Sequence, residues 1–148
     1  MKDKIKNPMR EIKFRGKAAA SFRDLAIKEG DWIYGDLVRK GKNFWIVGEV
    51  YESNDKYISF EQWIPVEPES VGQYTGLKDK NGKEIYEGDI SKNNRDFLYV
   101  ITWHPSMCAF VQLQWGHTFS DGDFLDMRFN FHEIIGNIYE NPELLTKE

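Results

Sequence analysis

The sequence predicts a mainly β protein that folds as a small barrel or sandwich. Aromatic residues make up 15% of the 148-residue chain, and they are concentrated where apolar and polar residues alternate, as in strands with one buried face. Turn-forming residues separate these segments at short intervals. We therefore expect a single compact domain over residues 1–148, in which residues 1–9 form a flexible basic N-terminus.

The N-terminal region predicts one strand and one short helix. Apolar and charged residues alternate over Glu11–Arg15, so this strand would turn Ile12 and Phe14 inward and its cations outward. A helix is predicted near residues 21–29, because Ser21 is a candidate N-cap and Gly30 a candidate stop. A single helical turn is also expected over Pro142–Leu145.

The rest of the chain predicts a succession of antiparallel strands. They are expected at Asp31–Val38, Phe44–Tyr51, Tyr57–Ile64, Val71–Thr75, Lys83–Lys92, Phe97–Trp103, Met107–Trp115 and Met127–Tyr139. Pro65 and Pro68 lack an amide proton, so we expect them to end the pairing of the third of these strands. Asn81 and Gly82 predict a type I′ hairpin turn or a related tight turn.

An internal repeat organises these strands. Glu29-Gly30-Asp31-Trp32 recurs as Glu87-Gly88-Asp89-Ile90, and each following run ends in a similar phrase, at Val71-Gly72 and at Ile135-Gly136. Because the opening and closing phrases occur in the same order in both halves, the sequence predicts two copies of one β unit, over residues 29–77 and 87–140. Chance is the alternative, because such phrases are common where turns meet strands. Gly30, Asp31, Gly88 and Asp89 would form the opening turns, while Gly72 and Gly136 would permit a bulge or a close strand approach.

Charge and cysteine content narrow the function classes. The chain has 20 basic and 24 acidic side chains, a net charge of −4, which gives no support to polyanion binding over the whole surface. Residues 1–17, however, hold seven cations and two anions, a basic arm that could touch phosphate or simply be solvated. With Cys108 alone no intrachain disulfide can form, and no apolar run is long enough to span a membrane.

Four phrases resemble successive signatures of the YopX family. They are Met9–Lys17, Gly30–Leu37, Val71–Ile90 and Ile135–Leu145, in the family's order. The resemblance implies an origin in a bacteriophage or an integrated prophage, and hence a bacterial host. The single cysteine and the lack of a long apolar run predict a location in the reducing cytoplasm of that host. The resemblance also implies a self-associating protein, in a family with no established activity, catalytic residue or cofactor.

Catalytic and metal-binding motifs are weak in this sequence. His104, Cys108, His117 and Asp121 could supply ligands to a transition metal only if the fold brought them together, so no metal site is predicted. In the simpler interpretation, Cys108 is a small buried apolar residue. Neither a hydrolase elbow nor a phosphate-binding loop occurs, and Leu77–Lys83 lacks the ligands of a calcium loop. A metal-dependent or thiol enzyme is therefore less favoured than a binding protein.

Binding is the favoured function, with no cofactor and no membrane partner. Several strands are apolar on both faces, and subunit contacts can cover the second face. We therefore expect a homo-oligomer, or an adaptor that docks onto a phage or host protein. The candidate binding residues are Trp32, Tyr34, Trp103 and Trp115. The alternative is single-stranded nucleic acid, held by aromatic strands and the basic arm, and the acidic net charge disfavours it.

Overall fold

Two antiparallel sheets and a separate hairpin form the part of the chain that the computed structural model describes, residues 9–116, 124–125 and 132–146. The strands are β1 (Phe14–Lys17), β2 (Trp32–Lys40), β3 (Asn43–Val47), β4 (Val50–Ser53), β5 (Ile58–Phe60), β6 (Trp63–Val66), β7 (Gly72–Lys78), β8 (Glu84–Tyr86), β9 (Asp89–Lys92), β10 (Leu98–His104), β11 (Ala109–Gln114), β12 (Phe124–Leu125) and β13 (Glu133–Asn137). The predicted mainly β fold is confirmed.

The first sheet has the order β6-β3-β2-β1-β7-β8 and curls on itself. Ala18, just after β1, forms a bridge to Val66 at the end of β6, and the Ala19 N–H donates to the Pro65 carbonyl at 2.9 Å. A Cβ at Gly16 would lie 2.9 Å from two carbons of Val66, so only glycine allows this approach. Among the described residues the curl does not close into a barrel, and the architecture is consistent with a sandwich.

The second sheet has the order β12-β11-β10-β9-β13. Its core is shared with the first sheet, because Ile85 of β8 packs in one buried cluster with Ile101 of β10 and Ile134 of β13. The backbone joins the sheets as well, since the Gly88 N–H donates to the Ile101 carbonyl at 2.9 Å. The two sheets thus meet along the segment that leads from β8 to β9.

The predicted helix near residues 21–29 is reduced to a single 3-10 turn, Arg23–Leu25. Ala26 takes a left-handed conformation with a φ of 53° and ends the turn. The Ser21 hydroxyl does not cap a helix but accepts a hydrogen bond from the Glu29 N–H. The other helical turn, Pro142–Leu145, is confirmed.

The N-terminal strand differs from its prediction. β1 begins at Phe14 rather than Glu11, and Ile12, expected inside, is 56% exposed. Arg15, expected to point into solvent, is only 5% exposed. Alternation along this strand predicts one apolar face and one solvated face. In the structure the charged face is covered at Arg15 by Asp89 and by the rings of Trp32 and Tyr86.

The predicted strands Phe44–Tyr51 and Tyr57–Ile64 are each divided in two. β3 and β6 pair within the first sheet, whereas β4 and β5 leave it as a separate two-stranded hairpin. Pro65 does not end the pairing as expected. It lies inside β6 opposite Trp45, and because β6 is an edge strand of the sheet order, a missing N–H is tolerated there.

The two halves predicted as a repeat share some features. Gly30 and Gly88 both have left-handed φ angles, 87° and 85°. In the second half the opening strand β9 pairs directly with the closing strand β13. In the first half β1 lies between the corresponding strands β2 and β7. Duplication stays a prediction.

The turn at Asn81-Gly82 is a related tight turn rather than type I′. Of these two residues only Gly82 has a positive φ, 82°, and its N–H donates to the Asp79 carbonyl at 2.9 Å. A type I′ turn needs positive φ at both central residues.

No helix among the described residues has both the length and the apolar character that crossing a membrane requires.

Candidate functional site

Three cations of the N-terminal segment lie on one face of the first sheet. Lys13, Arg15 and Lys17 alternate with inward-facing residues, so the period of two places them together. Strand pairing sets Arg15 opposite Tyr34 and Lys17 opposite Trp32 on β2. We call this surface the cation–aromatic face. It contains two of the four predicted binding residues, Trp32 and Tyr34.

Arg15 is the buried centre of this face. Its Nη2 donates to Asp89 Oδ1 at 2.7 Å and to the Glu87 carbonyl at 3.2 Å. The other carboxylate oxygen of Asp89 accepts from the Tyr86 N–H at 2.8 Å. Arg15 and Asp89 are 5% and 1% exposed, so this ion pair ties β1 to β9 in a place where water does not screen it.

Aromatic rings surround the Arg15 guanidinium. Its central carbon lies 4.4 Å from the centroid of Trp32 and 4.9 Å from that of Tyr86. Tyr86 also contacts the ring of Tyr34 at 5.5 Å. Burial, together with the nearby Glu84 carboxylate, raises the pKa of Tyr86 above its usual value. The face therefore holds a desolvated cation between electron-rich rings.

The two lysines of the face are also paired with carboxylates. Lys13 Nζ lies 2.7 Å from Glu84 and 3.1 Å from Glu11, and Lys17 Nζ lies 3.2 Å from Glu140. The hydrogen bond to Glu84 raises the pKa of Lys13. Because each cation has its own counter-charge, the face as a whole has little positive potential to offer a polyanion.

Two cavities share Tyr34 as a lining residue, and its side chain is half exposed. One, of about 420 Å³, has in its wall Lys13, Arg15, Tyr34, Lys83, Glu84 and Tyr86. The other, of about 290 Å³, is lined by three carboxylates and one lysine, from Glu11, Asp36, Glu49 and Lys13, beside Tyr34 itself. Tyr34 thus lines both a cavity with more cations than carboxylates in its wall, two of those cations being paired, and a cavity with more carboxylates than cations.

The other two predicted binding residues lie elsewhere. Trp103 on β10 is 42% exposed and contacts Phe110 of β11 at 5.1 Å, and Trp115 follows β11. Both are thus on the second sheet, away from Trp32 and Tyr34. The structure does not bring the four residues into one site.

Sequence reasoning predicted strands on both sides of the β4–β5 turn but missed that β4 and β5 form a hairpin separate from the first sheet. Four of its apolar side chains, Val50, Tyr51, Tyr57 and Ile58, are 51–77% exposed. Tyr51 is the extra residue of a β-bulge, because Val50 pairs with Phe60 and Glu52 with Ser59. Bulges redirect side chains, and the residue at this bulge, Tyr51, is the most exposed of the four. The apolar and aromatic residues over 44–51 are typical of one continuous strand, so the sequence pattern gives no sign that the second part of this strand leaves the sheet. The strand pairing shows the separate hairpin, and the exposure of its side chains shows that it is uncovered.

The metal ligands considered from the sequence do not form a site in the part that is described. No group of three or more His, Cys, Asp or Glu side chains there could hold a metal ion. His104 is buried, and its Nδ1 accepts from the Met107 N–H at 3.2 Å. Cys108, expected to be buried, is exposed. His117 and Asp121 lie outside the described residues.

Asp79, next to the cationic cavity, fastens the β7–β8 turn to the second sheet. Its carboxylate accepts hydrogen bonds from the N–H groups of Asn81, Lys83 and Ile134 at 2.8, 2.9 and 3.0 Å. Burial alone would raise the pKa of Asp79, but these three donors outweigh it and hold the pKa below the usual 3.8. Asp79 was not predicted to be important, since its third partner is far away in the sequence.

Asp79→Asn is expected to lower the free energy of unfolding by about 1–3 kcal/mol at pH 7, because the amide cannot accept all three hydrogen bonds with one oxygen. A carboxyl with a depressed pKa stabilises the fold above its unfolded pKa and stops doing so as pH falls through the folded pKa. The difference from the parent chain should therefore shrink below about pH 4. Urea unfolding from pH 7 to pH 3 measures it.

The matched control for this change is Asp96→Asn. Its carboxylate is 85% exposed in an ion pair with Lys92, so the expected effect is within about 0.5 kcal/mol. An Asp79→Asn effect that is equally small, or that does not change with pH, would contradict the assigned role.

Comparisons with known proteins agree with this fold. The structure is similar to the crystal structure of protein EF1440 from Enterococcus faecalis, with a TM-score of 0.56 and 22% sequence identity, over 93% of this chain and 99% of that one. No curated protein matches the sequence. The family model described as YopX protein matches residues 21–146, which is most of the chain. The chain therefore belongs to the YopX family, as its four signature phrases predicted.

Proposed function

We propose that this chain is a non-catalytic binding or adaptor module, encoded by a bacteriophage or prophage and active in the host cytoplasm, that associates with copies of itself through the β4–β5 hairpin. The observation that carries the proposal is the exposure of Val50, Tyr51, Tyr57 and Ile58 on one small element. A two-stranded hairpin is marginally stable by itself in water. Burying these side chains against another copy would stabilise it.

One charge pairing of the hairpin can be met by a second copy, although residues 49–61 are acidic overall, with four carboxylates against Lys56. Lys56 lies at the tip, whereas Glu49 and Glu61 face each other at the base, where the Glu61 N–H donates to the Glu49 carbonyl at 2.9 Å. In a two-fold dimer with antiparallel hairpins, the tip of one copy lies beside the base of the other. Lys56 of each copy would then meet the carboxylates of its partner.

Single-stranded nucleic acid is the alternative partner, and the described contacts weigh against it. A nucleic-acid groove needs cations that are free to meet phosphates. Lys13, Arg15 and Lys17 are instead held by carboxylates. Three of the seven cations of the basic arm, Lys2, Lys4 and Lys6, fall outside the described residues.

Analytical ultracentrifugation of the full chain tests self-association. The parent protein should form a dimer or larger oligomer at about 100 µM, and Tyr51→Ser combined with Ile58→Ser should shift it to monomer. Leu25→Ser removes an apolar side chain of 40% exposure on a distant turn, and it should leave the assembly unchanged.

A charge exchange tests the antiparallel arrangement. Lys56→Glu should weaken association, and adding Glu61→Lys should restore it, because the attractive pairing is re-formed with the signs reversed. Lys42→Glu, on the exposed β2–β3 turn, is the matched control. A monomeric parent chain, or hairpin variants that assemble as the parent does, would refute the hairpin interface.

A further inference from the structure

One donor of Arg15 has no partner in the described part of the chain. Although Nη2 makes two hydrogen bonds, the Nε–H is buried and meets no acceptor among the described residues. The rings of Trp32 and Tyr86 stabilise the charge of the guanidinium, but they supply no oxygen for this N–H. A buried donor without an acceptor is destabilising and calls for an explanation.

Arg15 belongs to the wall of the cationic cavity beside Tyr34, which we call the Tyr34 cavity. Lys83 lies in the same wall, is exposed, and forms no ion pair within the described part of the chain. Glu84, the carboxylate of this wall, is already bonded to Lys13 at 2.7 Å. A ligand oxygen in this cavity would meet Lys83 Nζ, which has no ion-pair partner among the described residues. Arg15 Nε–H has no surface open to a water molecule, so it becomes a second donor only if the neighbouring ring of Tyr86 moves.

We propose that the Tyr34 cavity binds a small ligand that carries a carboxylate or phosphate group. Its volume, about 420 Å³, is in the range of small-molecule sites. The half-exposed ring of Tyr34 gives a flat surface on which a ring or another planar part of the ligand can stack.

The second cavity fixes the orientation of such a ligand. Glu11, Asp36 and Glu49 line it, and their negative charges repel an anion there. The anionic group is therefore directed toward Lys83. A single small anion differs from a nucleic acid here, because one free cation is enough for it, whereas a nucleic acid needs a row of free cations.

Amide NMR titration of the full chain with phenyl phosphate and, separately, with benzoate tests the proposal. Both probes carry the same ring, so the stronger one identifies phosphate or carboxylate as the preferred group. Saturable shifts are expected at the amides of Tyr34, Gly82 and Lys83 below about 10 mM probe. Benzyl alcohol, which has the ring but no charge, should bind much more weakly.

Lys83→Gln should weaken the binding of the preferred probe by about tenfold or more, since it removes a charge-assisted hydrogen bond. Its side chain is exposed, so the fold should be retained. Lys42→Gln makes the same charge change on the β2–β3 turn and should leave the affinity unchanged. The proposal is overturned if neither probe shifts these amides saturably, if benzyl alcohol binds equally well, or if Lys83→Gln binds as the parent does.

Discussion

Asp89→Ala is expected to lower the free energy of unfolding by about 3–5 kcal/mol, because it leaves the Arg15 guanidinium buried without its counter-charge. Both side chains are almost completely excluded from solvent, and their 2.7 Å contact joins the first sheet to the second. The same change also removes the acceptor of the Tyr86 N–H. Urea unfolding followed by tryptophan fluorescence, with circular dichroism to verify the fold, measures the effect.

An exposed ion pair of the same face serves as the control for Asp89→Ala. Glu140→Ala breaks the contact with Lys17, in which the glutamate side chain is 41% exposed, so the expected loss is about 0–1 kcal/mol. Replacing both buried partners, by Arg15→Met with Asp89→Leu, should recover much of the stability, because no charge is then left unpaired. Equal losses for Asp89→Ala and Glu140→Ala would contradict a dry ion pair.

Gly72→Val is expected to destabilise the protein by about 3 kcal/mol through a clash with the backbone. A Cβ at Gly72 would lie 2.8 Å from the Glu87 carbonyl oxygen. That carbonyl cannot swing aside as a flexible side chain would, and it also accepts a hydrogen bond from Arg15. Thermal and urea unfolding of the variant and the parent chain measure the loss.

Gly48→Ala separates this clash from the general cost of replacing a glycine. The nearest atom to a Cβ at Gly48 is 3.6 Å away, an ordinary contact, so the change should stay within about 1 kcal/mol. A Cβ at Gly136 would meet the Asn141 side chain, with Oδ1 at 2.5 Å and Cβ at 3.0 Å. The amide of Asn141 can rotate away at the cost of its hydrogen bond from the Asn137 N–H, so Gly136→Val is expected to lose less stability than Gly72→Val but more than Gly48→Ala. If Gly72→Val melts as the parent does, the close approach of β7 and Glu87 is not needed for stability.

The fold could be predicted to the extent that it depends on local patterns. Alternation placed most strands, and the β2–β3 turn lies between the strands predicted at Asp31–Val38 and Phe44–Tyr51. The helix near residues 21–29 was overestimated, because it was predicted from its end signals, Ser21 and Gly30, and none of the residues in the turn that forms there is buried. Phe22 instead bridges Ile27, and a helix of that length is marginal without packing.

The candidate sites depend on contacts between distant residues, which alternation cannot reveal. Arg15 was expected in solvent because alternation places the charged residues of its strand on one exposed face. Its partner, Asp89, is 74 residues away in the sequence, so the local pattern could not reveal the ion pair. The sequence did single out Trp32 and Tyr34, since aromatic residues on a strand are visible without a structure. It could not show that Trp103 belongs to the other sheet, nor that Tyr51 is turned outward by a bulge.

The position of β1 has a consequence for synthesis on the ribosome. Of the described strands, β1 is made before the others, yet it lies inside the first sheet, between β2 and β7. Until residues 72–78 have been translated, the side of β1 that will pair with β7 has no neighbour, and such an unpaired edge can recruit other chains. A nascent chain that stalls before β7 would therefore expose the unpaired edge of β1, which can pair with other chains and cause aggregation. Rapid translation through β7, or a chaperone that shields β1, would limit aggregation during that interval.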